Sequence, residues 1–521
     1  MVSSSQRTII FFFFVLLSCV SGYFSFIHNP DTITAQIAPS QAQYTASQPT
    51  ASFIGNKKAG FNSLTQECPK ISIACKGTLP TWLQGDLLGT GPAQFELGST
   101  KVKYWFNGLA MLHAFHIQNG NLEYHNKFLE SEYYKRSIKN GKFDRSMSTE
   151  KPKGFFSRLA GAMNSSDPYD NGTIAVTKLH NTFFALTETP LPVAFDPKTL
   201  ATTELIQFND GLEGHLTTAQ FQYDPTTNEF FNYMTEFASS SNYHLYKIKN
   251  GDTKRTLITT IPVKSPSYMR SFGMTKNYLV LVEIPFVVNP FDLVMATGAF
   301  VESVSWKPQL GTNLIVVNKH TGELVGTHKT DALFMFNTIN AFEDANKIRL
   351  DLVAHDDASL INCTILEVLL DDNNKKEFSS SYAERIEIDL EKNIVTKKQL
   401  SQKIIEFPTF NKNYSMKDYT FVYGLGTDDK DRFPHQITKI NIKTGNHNSW
   451  SEQGCYASVP VFIARPQSKQ EDEGVILSVV FDSTHNNSFL IILDAQKLSE
   501  LARFELPHHI PLGLISQFYS A

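Results

Sequence analysis

Cysteine is scarce in this chain, with five among 521 residues, and the spacing of Cys68, Cys75, Cys363 and Cys455 matches no zinc site. Charge is also low: 19% of residues are charged and the formal net charge is -4, which excludes an electrostatic nucleic-acid binder. No Gly-rich phosphate loop, G-x-S-x-G elbow or zincin motif is present, so phosphoryl transfer, serine-type hydrolysis and zinc proteolysis have no machinery here. Helical pattern is confined to Gly154–Met163 and part of Ala495–Glu500, and no βαβ rhythm is visible. Repeats of the WD or kelch type, at a period of about 40 to 50 residues, are missing too.

What is present begins with a distinct N-terminus. Met1–Arg7 is polar, Thr8–Val20 is apolar, and Ser21-Gly22 supplies small residues. This layout predicts a secretory signal peptide over residues 1–22, or alternatively an uncleaved anchor reaching Phe26. Either reading makes the protein exported: secreted, periplasmic or membrane-anchored. Residues 23–65 are rich in Thr, Ala, Gln, Ser and Pro without periodicity and predict a disordered linker. In an exported protein Cys68 and Cys75 are close enough in sequence to pair.

From residue 66 the chain is β-rich, and its 40 Phe and 19 Tyr suit strands and apolar pockets. Short apolar segments predict strands at Thr173–Leu179, Thr182–Leu186, Phe230–Tyr233, Thr256–Ile261, Asn313–Val317, Ile348–Ala354, Thr364–Leu370 and Gly474–Phe481. Between them lie turn sequences such as Asp196-Pro197-Lys198-Thr199, Asp224-Pro225-Thr226-Thr227-Asn228, Lys319-His320-Thr321-Gly322 and Lys443-Thr444-Gly445-Asn446. A hairpin that recurs in this form predicts one large closed all-β architecture, a β-propeller.

Several segments, in order, resemble the carotenoid cleavage oxygenase family, which includes the retinoid isomerohydrolase of the eye. They are Gly77–Gly85 with Gly91–Glu96, Tyr104–Met111, Ala185–Thr189 with Phe195–Leu200, Asn340–Asp344, Glu406–Pro408, Tyr423–Gly426, Pro460–Phe462, Glu471–Val475, Leu493–Ala495 and Pro511–Gly513. The resemblance runs from about residue 70 to the C-terminus. It implies a seven-bladed β-propeller with a cap of loops and short helices. It also implies a ferrous iron on the propeller axis, held by four His that second-shell Glu residues steady, and an apolar tunnel for a polyene.

At the four ligand positions the resemblance places Gln220, Arg270, Asn337 and Ile515, so all four His are absent. His215, His328, His508 and His509 lie near three of these positions, but no single slip of register restores the set. Glu188 and Glu406 match two of the His-orienting glutamates, with Val459 at the third position. Gly89-Thr90 and Asn107 are further departures from the family pattern. Amide oxygens are poor ligands for ferrous iron, isoleucine offers none, and a permanent cation repels it. Iron is therefore the family's cofactor, yet no cofactor is expected here.

A lone Arg beside a strand is ordinarily a surface cation. At a ligand position flanked by retained glutamates, Arg270 instead predicts a buried pair with Glu188 or Glu406, because unpaired buried charges are so unfavourable. The apolar stretch from Ile284 to Met295, with Phe286, Val287, Val288, Phe291 and Leu293, resembles the family's tunnel mouth, where members touch membranes; a buried core segment is the other reading. The leading functional expectation is a carotenoid-oxygenase-like protein without iron chemistry, binding a carotenoid, apocarotenoid or retinoid. An active enzyme with an atypical metal site and a protein-interaction propeller are the alternatives.

Overall fold

The computed structural model describes residues 55–143, 169–179, 181–205, 208, 210–238, 240–252, 254–289, 303–371, 381–428 and 433–521. The predicted signal segment, most of the predicted linker, the helix expected at Gly154–Met163, and Phe291 and Leu293 lie outside them.

Among the described residues, seven antiparallel sheets of four or more strands succeed one another along the chain. The second to sixth are sequence-local, spanning residues 175–205, 216–263, 273–330, 338–399 and 404–450. The first and seventh are completed from opposite ends of the chain. Ile515–Ser520 pairs with Gly85–Gln94 in the first, and Cys75–Gly77 pairs with Glu500–Glu505 in the seventh. These sheets are the blades of a β-propeller. Strand exchange between the termini closes the circle and leaves no blade to open freely at the seam.

The apolar faces confirm that arrangement, because each main cluster joins two consecutive blades. Leu88, Leu112 and Ala114 meet Val176, Phe183 and Phe195 between the first and second. Phe184 and Leu186 meet Met234 and Ile248 at the next interface. The series continues through Tyr233 with Leu279 and Val282 with Leu350. Ile339 with Ile440 and Leu425 with Val480 extend it, and Leu477 with Phe115 returns to the first blade. Both faces of an inner strand are thus buried, which explains the continuous apolar runs.

The predicted turns recur as one device. Asp196 Oδ1 accepts from the Lys198 and Thr199 amides at 3.0 and 2.8 Å, and Asp224 Oδ1 accepts from Thr226 in the same way at 2.8 Å. Asn318 and Asn441 cap the Lys-His-Thr-Gly and Lys-Thr-Gly-Asn turns. Ala495–Glu500, expected to be partly helical, is another of these: Asp494 Oδ1 accepts from the Gln496 and Lys497 amides. The short polar side chain substitutes for backbone hydrogen bonding, so a turn replaces the helix.

Other expectations are corrected as well. Thr364–Leu370 is not a strand; a 3-10 turn over Ala358–Thr364 leads into a helix, Leu366–Leu370. Leu366 and Leu369, one helical turn apart, pack with Phe61, Phe95, Trp105, Tyr133, Phe433 and Leu512 in a cap beside the blades. That same cluster shows the packed body beginning before residue 66, since Phe61 and Leu64 are buried in it. Cys68 and Cys75 are both free: Cys75 pairs across to Phe504 in the seventh blade, whereas Cys68 follows a different course against Asn126 of the first.

Candidate functional site

Glu188, Gln220, Tyr268, Arg270 and Asn337 reach a polar cluster from segments between strands, and Glu406 and His355 reach it from strands. After Leu216–Thr217, the Thr218 hydroxyl accepts the Gln220 amide at 3.0 Å and donates to the Arg270 carbonyl, tying the third blade to the fourth. Ser271 repeats the device one blade further on: its hydroxyl donates to the Phe336 carbonyl at 3.0 Å and accepts the Thr338 amide at 2.8 Å. These backbone clamps fix where Gln220, Arg270 and Asn337 point. In the sixth blade the register shifts between Glu406 and Thr409, and Phe407 sits at φ 47°, a conformation a bulky residue rarely adopts. The resulting bulge re-aims the strand next to Glu406.

Two of the four ligand-position residues face each other. Gln220 Nε2 donates to Asn337 Oδ1 at 3.0 Å. Arg270 turns inward, as the buried-pair reading requires, and Nε lies 2.7 Å from Glu188 Oε1. The second oxygen of Glu188 accepts from the Tyr268 hydroxyl at 2.5 Å. The guanidinium also lies over the Phe336 ring, 4.8 Å from its centroid. Burial alone would push the Arg270 guanidinium down; Glu188, Tyr268 and the more distant Glu406 outweigh it and hold it above the usual arginine range. Burial, followed by the Glu188 charge, raises the Tyr268 phenol well above its ordinary value, so it stays a donor.

Glu406 does not pair with Arg270. Its Oε1 lies 2.9 Å from Nε2 of His355, which is fully buried. Sequence reasoning overlooked His355 because it stands 18 positions beyond Asn337. The hairpin of Thr338–Asp344 with Lys347–His355 brings the two back together: Val353 donates its amide to the Asn337 carbonyl at 2.9 Å. An alternating strand that places His355 on the same face as Val353 was the available signal. The histidines considered as replacements are all engaged elsewhere: His215 with Phe237, His328 with Asn393, His508 with Tyr124 and His509 with the Asn62 carbonyl.

Ile515 begins the strand that pairs with Thr90, and Val459 packs among Tyr423, Phe407 and Phe462; both are apolar and neither adds a donor. Phe286, Val287 and Val288 of the expected tunnel mouth are buried strand residues, so the core-segment reading holds for these three. Phe286 joins an aromatic group with Tyr268, Phe334, Trp306 and Phe336 directly beside Arg270.

The four positions that the family resemblance assigns to iron ligands hold two amides that bond each other, one guanidinium already paired, and one isoleucine. That set does not fit ferrous iron, which needs neutral imidazoles with open coordination positions. Among the described residues, no group of three or more His, Cys, Asp or Glu is arranged to hold a metal.

The family model for RPE65, the retinal pigment epithelial membrane protein, matches residues 61–520. The chain belongs to this family. It is 30% identical over 517 residues to the mitochondrial carotenoid-cleaving dioxygenase of Mustela putorius furo, covering 87% of this chain and 94% of that one. It is 31% identical to the β,β-carotene 15,15'-dioxygenase of Gallus gallus, covering 88% and 97%. Among solved structures, cobalt-substituted Synechocystis apocarotenoid oxygenase shares the fold with a TM-score of 0.81 at 22% identity, over 89% of this chain and 98% of that one. An apocarotenoid oxygenase/RPE65 chimera gives 0.80 at 23% identity, with the same coverage. The chain is accordingly a carotenoid-cleavage-oxygenase-like β-propeller.

Proposed function

We propose that this protein keeps the family scaffold to bind an apolar carotenoid, apocarotenoid or retinoid, without iron-dependent cleavage. The observation that carries the reading is the 2.7 Å Arg270–Glu188 pair at a ligand position. A fixed cation fills the place where the family resemblance puts a metal, and a glutamate matched to the His-orienting set now serves that cation. The Gln220–Asn337 bond occupies two further positions with groups satisfied by each other. Carotenoid-named relatives across 87% of the chain support the ligand class. The apolar run Thr8–Val20 supports export.

An active dioxygenase or isomerase with an atypical metal site is the second reading. His355 beside Glu406 favours it, since that pair is one imidazole with its carboxylate already in place. Metal analysis of the purified protein, combined with incubation with a coloured carotenoid or apocarotenal, separates the two. Far less than one iron per chain with retained colour supports the binding reading. Stoichiometric iron with cleavage products overturns it.

A further inference from the structure

The first blade carries a second group of titratable side chains, separate from the Arg270–Glu188 cluster. Outward from Ile515–Ser520, its strands are Gly85–Gln94, Leu109–Gln118 and Asn121–Phe128. The register sets Asp86 opposite His116, and His116 opposite Glu123. Residues directly opposite in an antiparallel pair share a face of the sheet, as do residues two apart on one strand. Asp86, His116, Glu123 and His125 therefore stand on the same face.

A carboxylate holds His116: Nδ1 lies 2.7 Å from Asp86 Oδ1. An ionised carboxylate only accepts, so Nδ1 carries the proton and Nε2 the lone pair. The His125 ring lies beside it, centroid to centroid 5.2 Å, with the planes inclined at 21°. His125 is 5% exposed. Among the described residues, neither of its ring nitrogens nor His116 Nε2 has a hydrogen-bond partner. Buried polar atoms are normally satisfied, and two adjacent imidazoles with bare nitrogens point to a ligand that takes lone pairs.

We propose that His116 and His125 are the core of a binding site for a divalent zinc-class ion, with Glu123 as third ligand and Asp86 steadying His116. Two imidazoles on one tetrahedral zinc, with zinc–nitrogen bonds of about 2.0 to 2.1 Å, have ring centroids about 5.2 Å apart, which is the spacing of these rings. No hydrogen bond holds the His125 ring, so turning it about Cβ–Cγ to aim a nitrogen at the shared point breaks none. As the side chains stand the set is two imidazoles, because Glu123 faces Lys70 at 3.7 Å. Both members of that ion pair are well exposed, so Glu123 leaves it at little cost. Lys70 opposes a second cation, but the carboxylates of Asp86 and Glu123 outnumber it. The Asp86–His116 contact is the carboxylate–imidazole arrangement that fixes the tautomer and direction of a metal-ligating histidine. Nitrogen donors suit zinc rather than magnesium or calcium, and two His with one carboxylate leave a fourth position for water.

The test strips the intact protein with a chelator and titrates it with zinc chloride against a chromophoric competitor. One zinc per chain with submicromolar affinity is expected, and zinc should raise the melting temperature, because an ion that binds only the folded chain stabilises it. Asp86→Asn should weaken binding about 10- to 100-fold, the usual effect of removing such a carboxylate. His125→Gln should abolish the site. Glu123→Gln, at an exposed position, should weaken it at least about tenfold and keeps the test decisive if the buried variant fails to fold. Cobalt in place of zinc should give the visible absorption of a tetrahedral ion in the wild type and lose it in Glu123→Gln. No stoichiometric uptake by the stripped protein, or equal uptake by wild type, Glu123→Gln and His125→Gln, overturns the proposal. Zinc here and iron at the Arg270 cluster are counted as different elements, so either reading can fail alone.

Discussion

Arg270 Nε and Glu188 Oε1 stand 2.7 Å apart, joining the segment that enters the fourth blade to the Glu188 segment between two strands of the second, and Tyr268 donates to the other carboxylate oxygen. Replacing Arg270 by Met removes the cation and leaves Glu188 with the phenol alone. The Arg270 side chain is 11% exposed and Glu188 22%, so the loss is expected at about 3 kcal/mol, the lower end for a broken buried pair. Urea unfolding measures it. The double variant Arg270→Met with Glu188→Gln should recover part of the loss, and equal stability of wild type and Arg270→Met would sink the pairing.

His355 Nε2 and Glu406 Oε1 lie 2.9 Å apart, a second carboxylate contact of the cluster, across the fifth and sixth blades. Changing His355 to Leu keeps the volume but strands the carboxylate in a buried position. A drop of about 2 kcal/mol is expected from the unsatisfied group, together with a lower melting temperature. If His355→Leu melts with the wild type, the contact contributes nothing to the cluster.

Lys319 is fully buried and meets Asp224, 1% exposed, at 2.7 Å, with the Thr275 carbonyl as a further acceptor at 2.9 Å. This pair links the third and fourth blades away from the axial cluster. Lys319→Met should destabilise by about 3 to 5 kcal/mol, because Asp224 would remain charged and enclosed. Lys319→Met with Asp224→Asn should be milder than Lys319→Met alone; the reverse order in chemical denaturation would contradict the account.

His125 is 5% exposed, and neither ring nitrogen has a hydrogen-bond partner. Burial first, then the nearby His116 and Lys70, lower its pKa to about 4, with Asp86 opposing. The unfolded chain protonates near 6.5, so between these values it binds a proton that the folded protein refuses. Stability contributed by neutral His125 is therefore full above about pH 6.5 and falls as pH drops toward 4, by about 3 kcal/mol. Urea unfolding at pH 7.5, 6 and 5 should show a shallower decline for His125→Phe. Parallel curves for both proteins would show that another group sets the slope.

The seven-bladed architecture was legible because hairpin turns such as Asp196–Thr199 and Lys443–Asn446 carry their own hydrogen-bond chemistry, and ordered family segments span the blades. Thr364–Leu370 was misread because a short apolar run suits strand and helix equally, and only the cap chose. At the cluster, the family resemblance assigned Gln220, Arg270, Asn337 and Ile515 to the ligand positions residue by residue. Which glutamate Arg270 would take could not be read, and His355 was missed because a strand pairing, not sequence proximity, places it beside Glu406.

The amino-acid sequence by itself determined the family and the strand-turn rhythm, and through the family resemblance it pointed to Gln220, Arg270, Asn337 and Ile515. Tertiary structure alone decided their partners: Arg270 with Glu188, Gln220 with Asn337, and Glu406 with His355. The reason is geometric. Local turns and alternating faces are properties of neighbouring residues, whereas a charge pair on a propeller axis depends on how closed blades aim side chains from distant strands into a shared, partly dry space.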